Sequence, residues 1–152
     1  MKAGRKGALI LALVLAVVTG LTSVPAAIAA GADAIYLSGK RFGARKYAAN
    51  FSDAEIVDAV RLAHTRGVRV YVTVNTLVQD AELEAAAETL AALAELGVDA
   101  VIVQDLGLVR LARERLPGLR LHASTQMAVH NRPGAELARA GEANIWRHCP
   151  KQ

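Results

Sequence analysis

Polar side chains are concentrated in residues 121–127, Leu-His-Ala-Ser-Thr-Gln-Met, which directly follow a strand-like stretch. If the strand continues, successive side chains alternate between its two faces, so His122, Ser124 and Gln126 point one way and Thr125 the other. An imidazole in such a cluster could act as a general base, with hydroxyl and amide groups binding the substrate. We interpret the run as a candidate site, although it does not identify the reaction.

Further polar residues follow three other strand-like runs. Asn75 follows the second run, Gln104 and Asp105 follow the third, and the long segment 38–51 after the first contains Arg45. Arg45 could clamp a carboxylate or a phosphate, and Asp105 could orient His122. Two alternatives stay open: Asp105 could cap a helix that starts at residue 106, and segment 38–51 could be a solvated crossover. The candidate residues are His122, Asp105 and Ser124 for catalysis, and Arg45, Asn75, Gln104, Thr125 and Gln126 for substrate binding.

The remaining histidines and the single cysteine do not indicate a metal site. His64 is predicted to serve the end of a helix, and His130 with Asn131 could equally start a helix or act in catalysis. The lone Cys149 cannot hold zinc or an iron–sulfur cluster, and His148 beside it does not complete a site. A triad of Ser124, His122 and Asp105 is poorly supported, because no nucleophile-elbow pattern is present.

A glycine-led unit recurs along the chain and predicts the elements that position these residues. Strand-like runs follow Gly31, Gly67, Gly97 and Gly118, and each glycine is expected at positive φ after a helix. Helices are predicted from a capping box at Ser52, and over 81–96, 106–116 and 132–140. Alternating strands and helices predict an α/β fold with a parallel sheet. Four or five such units make about half of a TIM-type βα-barrel, and a small open sheet is the alternative.

Composition fits one packed domain and excludes disorder of the whole chain. The 152 residues are 53% hydrophobic and 21% charged, and the net charge is +4. No basic run with interleaved aromatic residues is present, so we do not expect DNA binding.

The N-terminal segment 1–29 differs from the rest of the chain. Basic residues precede an apolar run and a small-residue segment, which is the pattern of a secretory signal. Residues 8–24 could then contact a membrane or the export machinery. Alternatively, residues 9–18 form a first strand and residues 25–30 end a first helix. We therefore predict three parts: segment 1–29, a partial βα-barrel over 30–140, and an irregular tail over 141–152.

Six ordered motifs resemble one known family. They are Ala-Gly-Ala-Asp-Ala-Ile-Tyr-Leu (30–37), Phe-Gly-Ala-Arg (42–45), Tyr-Ala-Ala-Asn-Phe (47–51), Val-Tyr-Val-Thr-Val-Asn-Thr (70–76), Asp-Ala-Val-Ile-Val-Gln-Asp-Leu-Gly (99–107) and His-Ala-Ser-Thr-Gln-Met (122–127). Together they resemble the N-terminal part of the collagenase-like peptidases, the thirty-second family of peptidases of unknown catalytic type. The resemblance runs from about residue 27 to residue 140.

The resemblance implies a βα-barrel and, by the family's name, a protease. It also implies an alternative, because other members are similar to enzymes that hydroxylate an RNA base or the ubiquinone ring. Several of those use prephenate and an iron–sulfur cluster held by cysteines in a later part of the chain, which are not in this sequence. A third possibility is an inactive remnant or a binding module. The substrate, whether peptide, RNA or small molecule, and the oligomeric state are not predicted.

The chain departs from the family pattern near both ends. The family's first strand ends in an Ala-Pro-Ala-Gly-like turn that is absent here, and after residue 140 this chain reads Gly-Glu-Ala-Asn-Ile-Trp rather than continuing into another strand. We therefore expect a truncated or frame-disrupted copy. Its relatives imply a cytoplasmic location, and the alternative is secretion if segment 1–29 is a signal peptide.

Overall fold

In the part of the chain that the structure describes, five parallel strands alternate with five α-helices. The computed structural model describes residues 15–18, 20–44 and 50–140. The strands are β1 (Leu15–Val17), β2 (Ala34–Ser38), β3 (Arg69–Val74), β4 (Ala100–Val103) and β5 (Leu121–Ala123). The helices are α1 (Val24–Ala29), α2 (Asp53–His64), α3 (Leu83–Glu95), α4 (Leu106–Arg115) and α5 (Arg132–Ala140). The sheet order β1-β2-β3-β4-β5 follows the chain, so the predicted partial βα-barrel is confirmed.

The N-terminal segment contributes to the sheet where the structure describes it. Leu15 to Val17 pair in parallel with Ala34 to Tyr36, and the fully buried Val24 begins α1. This arrangement is the one that the strand-and-helix interpretation of segment 1–29 expects. Residues 1–14 and 19 lie outside the described residues, and the signal peptide stays a prediction. Within the described residues, no helix combines the length and the apolar character needed to cross a membrane.

The two faces of the sheet are built differently. Val70, Val72 and Val74 pack with the helices into the main core, because the described helices lie on that face of the sheet. The alternate residue Tyr71 packs instead with Ala34 and Ala100, on the face that lies inside a closed barrel. This inner face is the one that leads to the candidate site.

Local signals explain where most of the helices begin and end. The predicted capping box is confirmed: Glu55 N donates to Ser52 Oγ at 3.4 Å, and Ser52 N donates to Glu55 Oε2 at 2.8 Å. Gly31, Gly67 and Gly97 have φ of 84°, 70° and 79°, as predicted. The same prediction for Gly118 is wrong.

The reason for the exception at Gly118 is the proline before it. Helix α4 ends through Leu116, whose φ is −131°, and Pro117 stops the helix because it cannot donate a backbone hydrogen bond. Leu119 N then donates to Leu116 O at 2.9 Å and closes the turn without a left-handed residue.

Candidate functional site

His122 lies on the inner face of the sheet beside Tyr71. In the register of β4 and β5, His122 is opposite Ile102, one of the residues packed against the inner-face cluster. The rings of Tyr71 and His122 meet edge to face, with 4.9 Å between their centroids. Arg69 Nη1 donates to Tyr71 Oη at 3.5 Å. The fold thus gathers an imidazole, a phenol and a guanidinium on one surface.

The strand carrying His122 ends one residue later, so the alternation predicted for the following residues is wrong. Ser124 turns the chain into a single turn of 3-10 helix, Thr125–Met127, and its Oγ accepts a hydrogen bond from Gln126 N at 3.2 Å. The Ser124 side chain is buried, whereas Thr125 is exposed. A hydroxyl that caps a buried turn is poorly placed to act as a nucleophile.

Asp105 has the contacts of a helix cap. Its Oδ1 accepts from Leu108 N at 2.8 Å, which satisfies a free backbone donor of α4. Its Oδ2 accepts from Val78 N at 3.3 Å and thereby ties the loop after β3 to the start of α4. Both carboxylate oxygens therefore hold backbone groups, and the capping alternative is confirmed. Its proposed role in orienting His122 stays a prediction.

Asn75 holds three loops together at the end of the sheet where the strands finish, which we call the carboxyl end. Its Oδ1 accepts from Ala44 N at 3.1 Å, and its Nδ2 donates to Gln126 Oε1 at 2.9 Å. Thr76 Oγ1 adds a hydrogen bond to Phe42 O at 3.2 Å. Both polar atoms of the Asn75 amide are used in these contacts, so the structure places Asn75 as an organiser of the loops. Arg45 lies outside the described residues.

Gly43 explains how the loop after β2 reaches this position. A Cβ atom on Gly43 would collide with Ser38 Oγ, so this loop passes β2 more closely than a side chain allows. The missing side chain of Gly43 thus lets the loop backbone lie directly against the end of β2.

A cavity of about 500 Å³ lies beside these contacts. It is bounded by the loop after β4, the turn Thr125–Met127 and the start of α5, and its walls include Gln104, Gln126 and His130. His130 Nδ1 is 2.7 Å from Ala128 O and donates to it, while Asn131 Oδ1 accepts from Gly134 N at 2.8 Å. Asn131 therefore starts α5, and His130 is left in the cavity wall.

Backbone strain marks the same end of the sheet. Among the described residues, Phe42 and Ala128 are the two non-glycine positions with positive φ, at 56° and 52°. Such conformations cost on the order of 1 kcal/mol or more each and cluster at functional sites. Phe42 lies in the loop after β2, and Ala128 lies in the loop after β5, beside the cavity. These are the two loops that Asn75 connects through its hydrogen bonds to Ala44 and Gln126.

Comparison with known proteins places these features in a family. Residues 19–145 match Peptidase family U32. A 23S rRNA 5-hydroxycytidine synthase of Escherichia coli is 47% identical over 100 residues, covering 66% of this chain and 15% of that protein. The tRNA hydroxylation protein P2 of Bacillus subtilis is 41% identical over 99 residues, covering 65% of this chain and 32% of its own length. The chain therefore spans less than a third of either relative.

A solved structure of a U32 peptidase superposes with a TM-score of 0.61 at 19% identity. The superposition covers 84% of this chain and 53% of that one. At this identity the likeness establishes the fold alone, and it agrees with a partial barrel.

Proposed function

This chain belongs to peptidase family U32, and from that premise we propose that it supplies the site-bearing part of an enzyme that hydroxylates a base in RNA. The observation that carries the proposal is the likeness of about two thirds of this chain to relatives named for rRNA and tRNA hydroxylation. Those names support hydroxylation of an RNA base better than they support proteolysis, which is the function that the family's name implies. We expect the enzyme to work in the cytoplasm, where its RNA substrate lies.

The geometry also argues against an acyl-transfer mechanism. Such a mechanism needs a hydroxyl or thiol activated by a base that a third group orients. Here Ser124 accepts a backbone hydrogen bond, and Asp105 caps α4 while holding Val78. The two residues that would join His122 in a triad are therefore committed to local structure.

We assign the proton-transfer role to His122. Hydroxylation replaces a C–H bond of the base with C–OH, so a group must receive the proton that the ring carbon loses, and an imidazole is suited to this at neutral pH. Tyr71 restrains the imidazole through the contact between the two rings. The exposed Lys40 and Arg41, with Arg45 further along the same loop, supply cations for the RNA backbone or for an anionic cosubstrate.

Replacing C–H with C–OH oxidises the base by two electrons, so the oxygen atom and the acceptor of those electrons must come from a co-reactant that this chain's residues do not hold. An iron–sulfur cluster needs several cysteine thiolates, and Cys149 is the single cysteine of the sequence. The donor set present here does not fit that group. The contribution we propose for this chain is binding, orientation and proton transfer.

A chimera tests the proposal. The matched segment of the E. coli rRNA synthase is replaced by the corresponding part of this chain, and the chimera is expressed in a strain that lacks the synthase. We expect 5-hydroxycytidine to return to 23S rRNA, measured by mass spectrometry of nucleosides. His122→Ala in the chimera should lower the product by about 100-fold or more, because a positioned general base contributes on that order.

Two controls make the result decisive. His64→Ala changes a histidine at the opposite end of the sheet and should leave the product unchanged. A chimera that accumulates in folded form without making 5-hydroxycytidine counts against the proposal. Cleavage of gelatin by the purified chimera, lost in His122→Ala, would restore the protease interpretation.

A further inference from the structure

We propose that the cavity of about 500 Å³ at the carboxyl end receives one uncharged nucleobase, turned out of an RNA strand. The inference rests on the proposed function and names the part of the substrate that this site takes. Enzymes that modify a base inside RNA or DNA commonly turn it into a pocket, where they read its edge and stack on its faces.

The cavity walls include apolar side chains that are not buried in the hydrophobic core. Leu77 and Leu106 are the two large hydrophobic side chains left exposed in the described part of the chain, at 72% and 64%. Both line the cavity, one from the loop after β3 and one from the start of α4. Apolar surface beside a concave site is typical of ligand contact, and the flat face of a base suits it.

The polar groups of the cavity suit the edge of a base. The Nδ1–H of His130 donates to Ala128 O, so the Nε2 of the neutral ring is left as an acceptor. Gln126 uses its Oε1 to accept from Asn75, and its Nε2 is available as a donor among the described contacts. Gln104 adds an amide that can both donate and accept. Each base presents donors and acceptors along its edge, so this set is complementary to it.

The charge of the walls separates a base from the other candidate ligands. Among the described lining residues the formal charge comes from one carboxylate, Asp105, and none of them is Lys or Arg. A phosphate or a dicarboxylate would lose water there without gaining a cation, which is unfavourable. The exposed cations Lys40 and Arg41 lie on the loop after β2 and do not line this cavity. We therefore expect the base to bind in this cavity and the anionic groups of the substrate to bind at the loop after β2.

The backbone holds His130 in position. Ala128 has a left-handed conformation at φ 52°, and its carbonyl accepts the His130 hydrogen bond. Relaxing this residue to negative φ would move the carbonyl and release the ring. We infer that the strain at Ala128 keeps the His130 acceptor at the cavity.

The test is a titration of the full chain, labelled at its histidine ring nitrogens, with cytidine as the probe. We expect cytidine to shift the NMR signals of His130 and to leave those of His64, at the far end of the sheet, in place. His130→Phe keeps a ring but removes the acceptor, and Leu106→Ser removes apolar wall. Each should weaken cytidine binding by about threefold to tenfold.

Matched variants and competitors sharpen the result. His64→Phe makes the same chemical change elsewhere and should bind cytidine like the parent chain, and circular dichroism checks that every variant folds. Inorganic phosphate and prephenate should not displace cytidine. No shift at His130, displacement by either anion, or no saturable cytidine binding would overturn the inference.

The two proposals fail in different ways. If the chimera hydroxylates rRNA but cytidine does not shift the His130 signals, the cavity assignment is wrong and the proposed function stands. Cytidine bound at His130 together with a folded, inactive chimera keeps the base site and removes hydroxylation.

Discussion

The two ends of the sheet are held by different kinds of contact. At the amino end, where the strands begin, the left-handed positions of the described residues are the glycines Gly31, Gly67 and Gly97, which adopt positive φ without strain. At the carboxyl end the left-handed positions are Phe42 and Ala128, which do not. Glycine thus avoids backbone strain at the amino end of the sheet, whereas the carboxyl end retains backbone strain at Phe42 and Ala128.

The side-chain contacts differ in the same way. At the amino end, Asp99 Oδ2 accepts from Val70 N at 2.8 Å and meets His64 Nε2 at 2.8 Å, which joins α2 to the sheet. At the carboxyl end, Asn75 and Gln126 join loops to one another. Barrel folds place stability at the amino end and chemistry at the carboxyl end, and this contrast is consistent with that division.

The largest effect on stability that we expect at the carboxyl end comes from Asp105→Ala. The change leaves the backbone donors of Leu108 and Val78 without their carboxylate acceptor. Loss of a helix cap costs about 1 kcal/mol, and the second contact brings the expected loss in the free energy of unfolding to about 2 kcal/mol. Urea denaturation measures it.

Asp105→Asn is the matched control for this prediction. Its amide oxygen can still accept from Leu108 N, so it should lose less stability than Asp105→Ala. Unchanged stability in Asp105→Ala, together with a loss of activity in the chimera, would show that Asp105 acts in catalysis and that the cap is dispensable.

The next prediction compares the loss of stability on replacing two glycines that occupy equivalent positions in the repeated sequence unit. Gly67 has a φ of 70°, whereas Gly118 is not among the positive-φ residues, and an added Cβ meets no atom within 4 Å at either position. Gly67→Ala should therefore lose about 1 kcal/mol of unfolding free energy from backbone conformation alone. Gly118→Ala should be close to neutral. Equal losses in thermal or urea unfolding would mean that the contrast does not arise from φ.

These glycines show what the sequence can predict about the fold. Periodic apolar runs and the repeated glycine unit give the order of strands and helices, because burial patterns and helix ends are local properties. The unit at Gly118 looked the same as the others, yet Pro117 changed how α4 ends. A nearby residue that removes a backbone donor can thus override a repeated pattern.

The site was predictable in its location but not in its details. Asn75, Gln104, Asp105 and Gln126 all lie at the carboxyl end, as the parallel sheet requires. Tyr71 was missed as a partner of His122, although the alternation of valines with Tyr71 and Thr73 in β3 could have placed it on the inner face. The contact from Asn75 to Gln126 spans 51 residues, so no local pattern could have predicted it.

A smaller effect on stability is expected from Asn75, the residue that connects the loops. Asn75→Ala removes both of its hydrogen bonds, whereas Asn75→Asp keeps an acceptor for Ala44 N and loses the donor to Gln126. The contacts are exposed, so Asn75→Ala should lose about 0.5–1 kcal/mol of unfolding free energy.

Hydrogen exchange at the Ala44 amide distinguishes the two Asn75 variants. It should become faster in Asn75→Ala and stay slow in Asn75→Asp. Fast exchange in both variants would mean that the contact with Gln126, and not the acceptor for Ala44, holds the loop after β2.

The smallest effect concerns the cap of α2, where the long loop after β2 ends. The Ser52 backbone N–H, and then its hydroxyl, donate to the Glu55 carboxylate and hold its pKa below the usual value. The charged carboxylate therefore stabilises the folded state above its unfolded pKa of about 4.3, and this contribution is lost as the pH falls through the lower folded value. Glu55→Gln should unfold more easily than the parent chain at pH 7, and the gap in melting temperature should close in acid. In a chain that carries Ser52→Ala, the hydroxyl donor is gone, so Glu55→Gln should lower the melting temperature by less than it does in the parent chain. A difference in melting temperature that does not change with pH would show that the cap of α2 does not depend on the charge of Glu55.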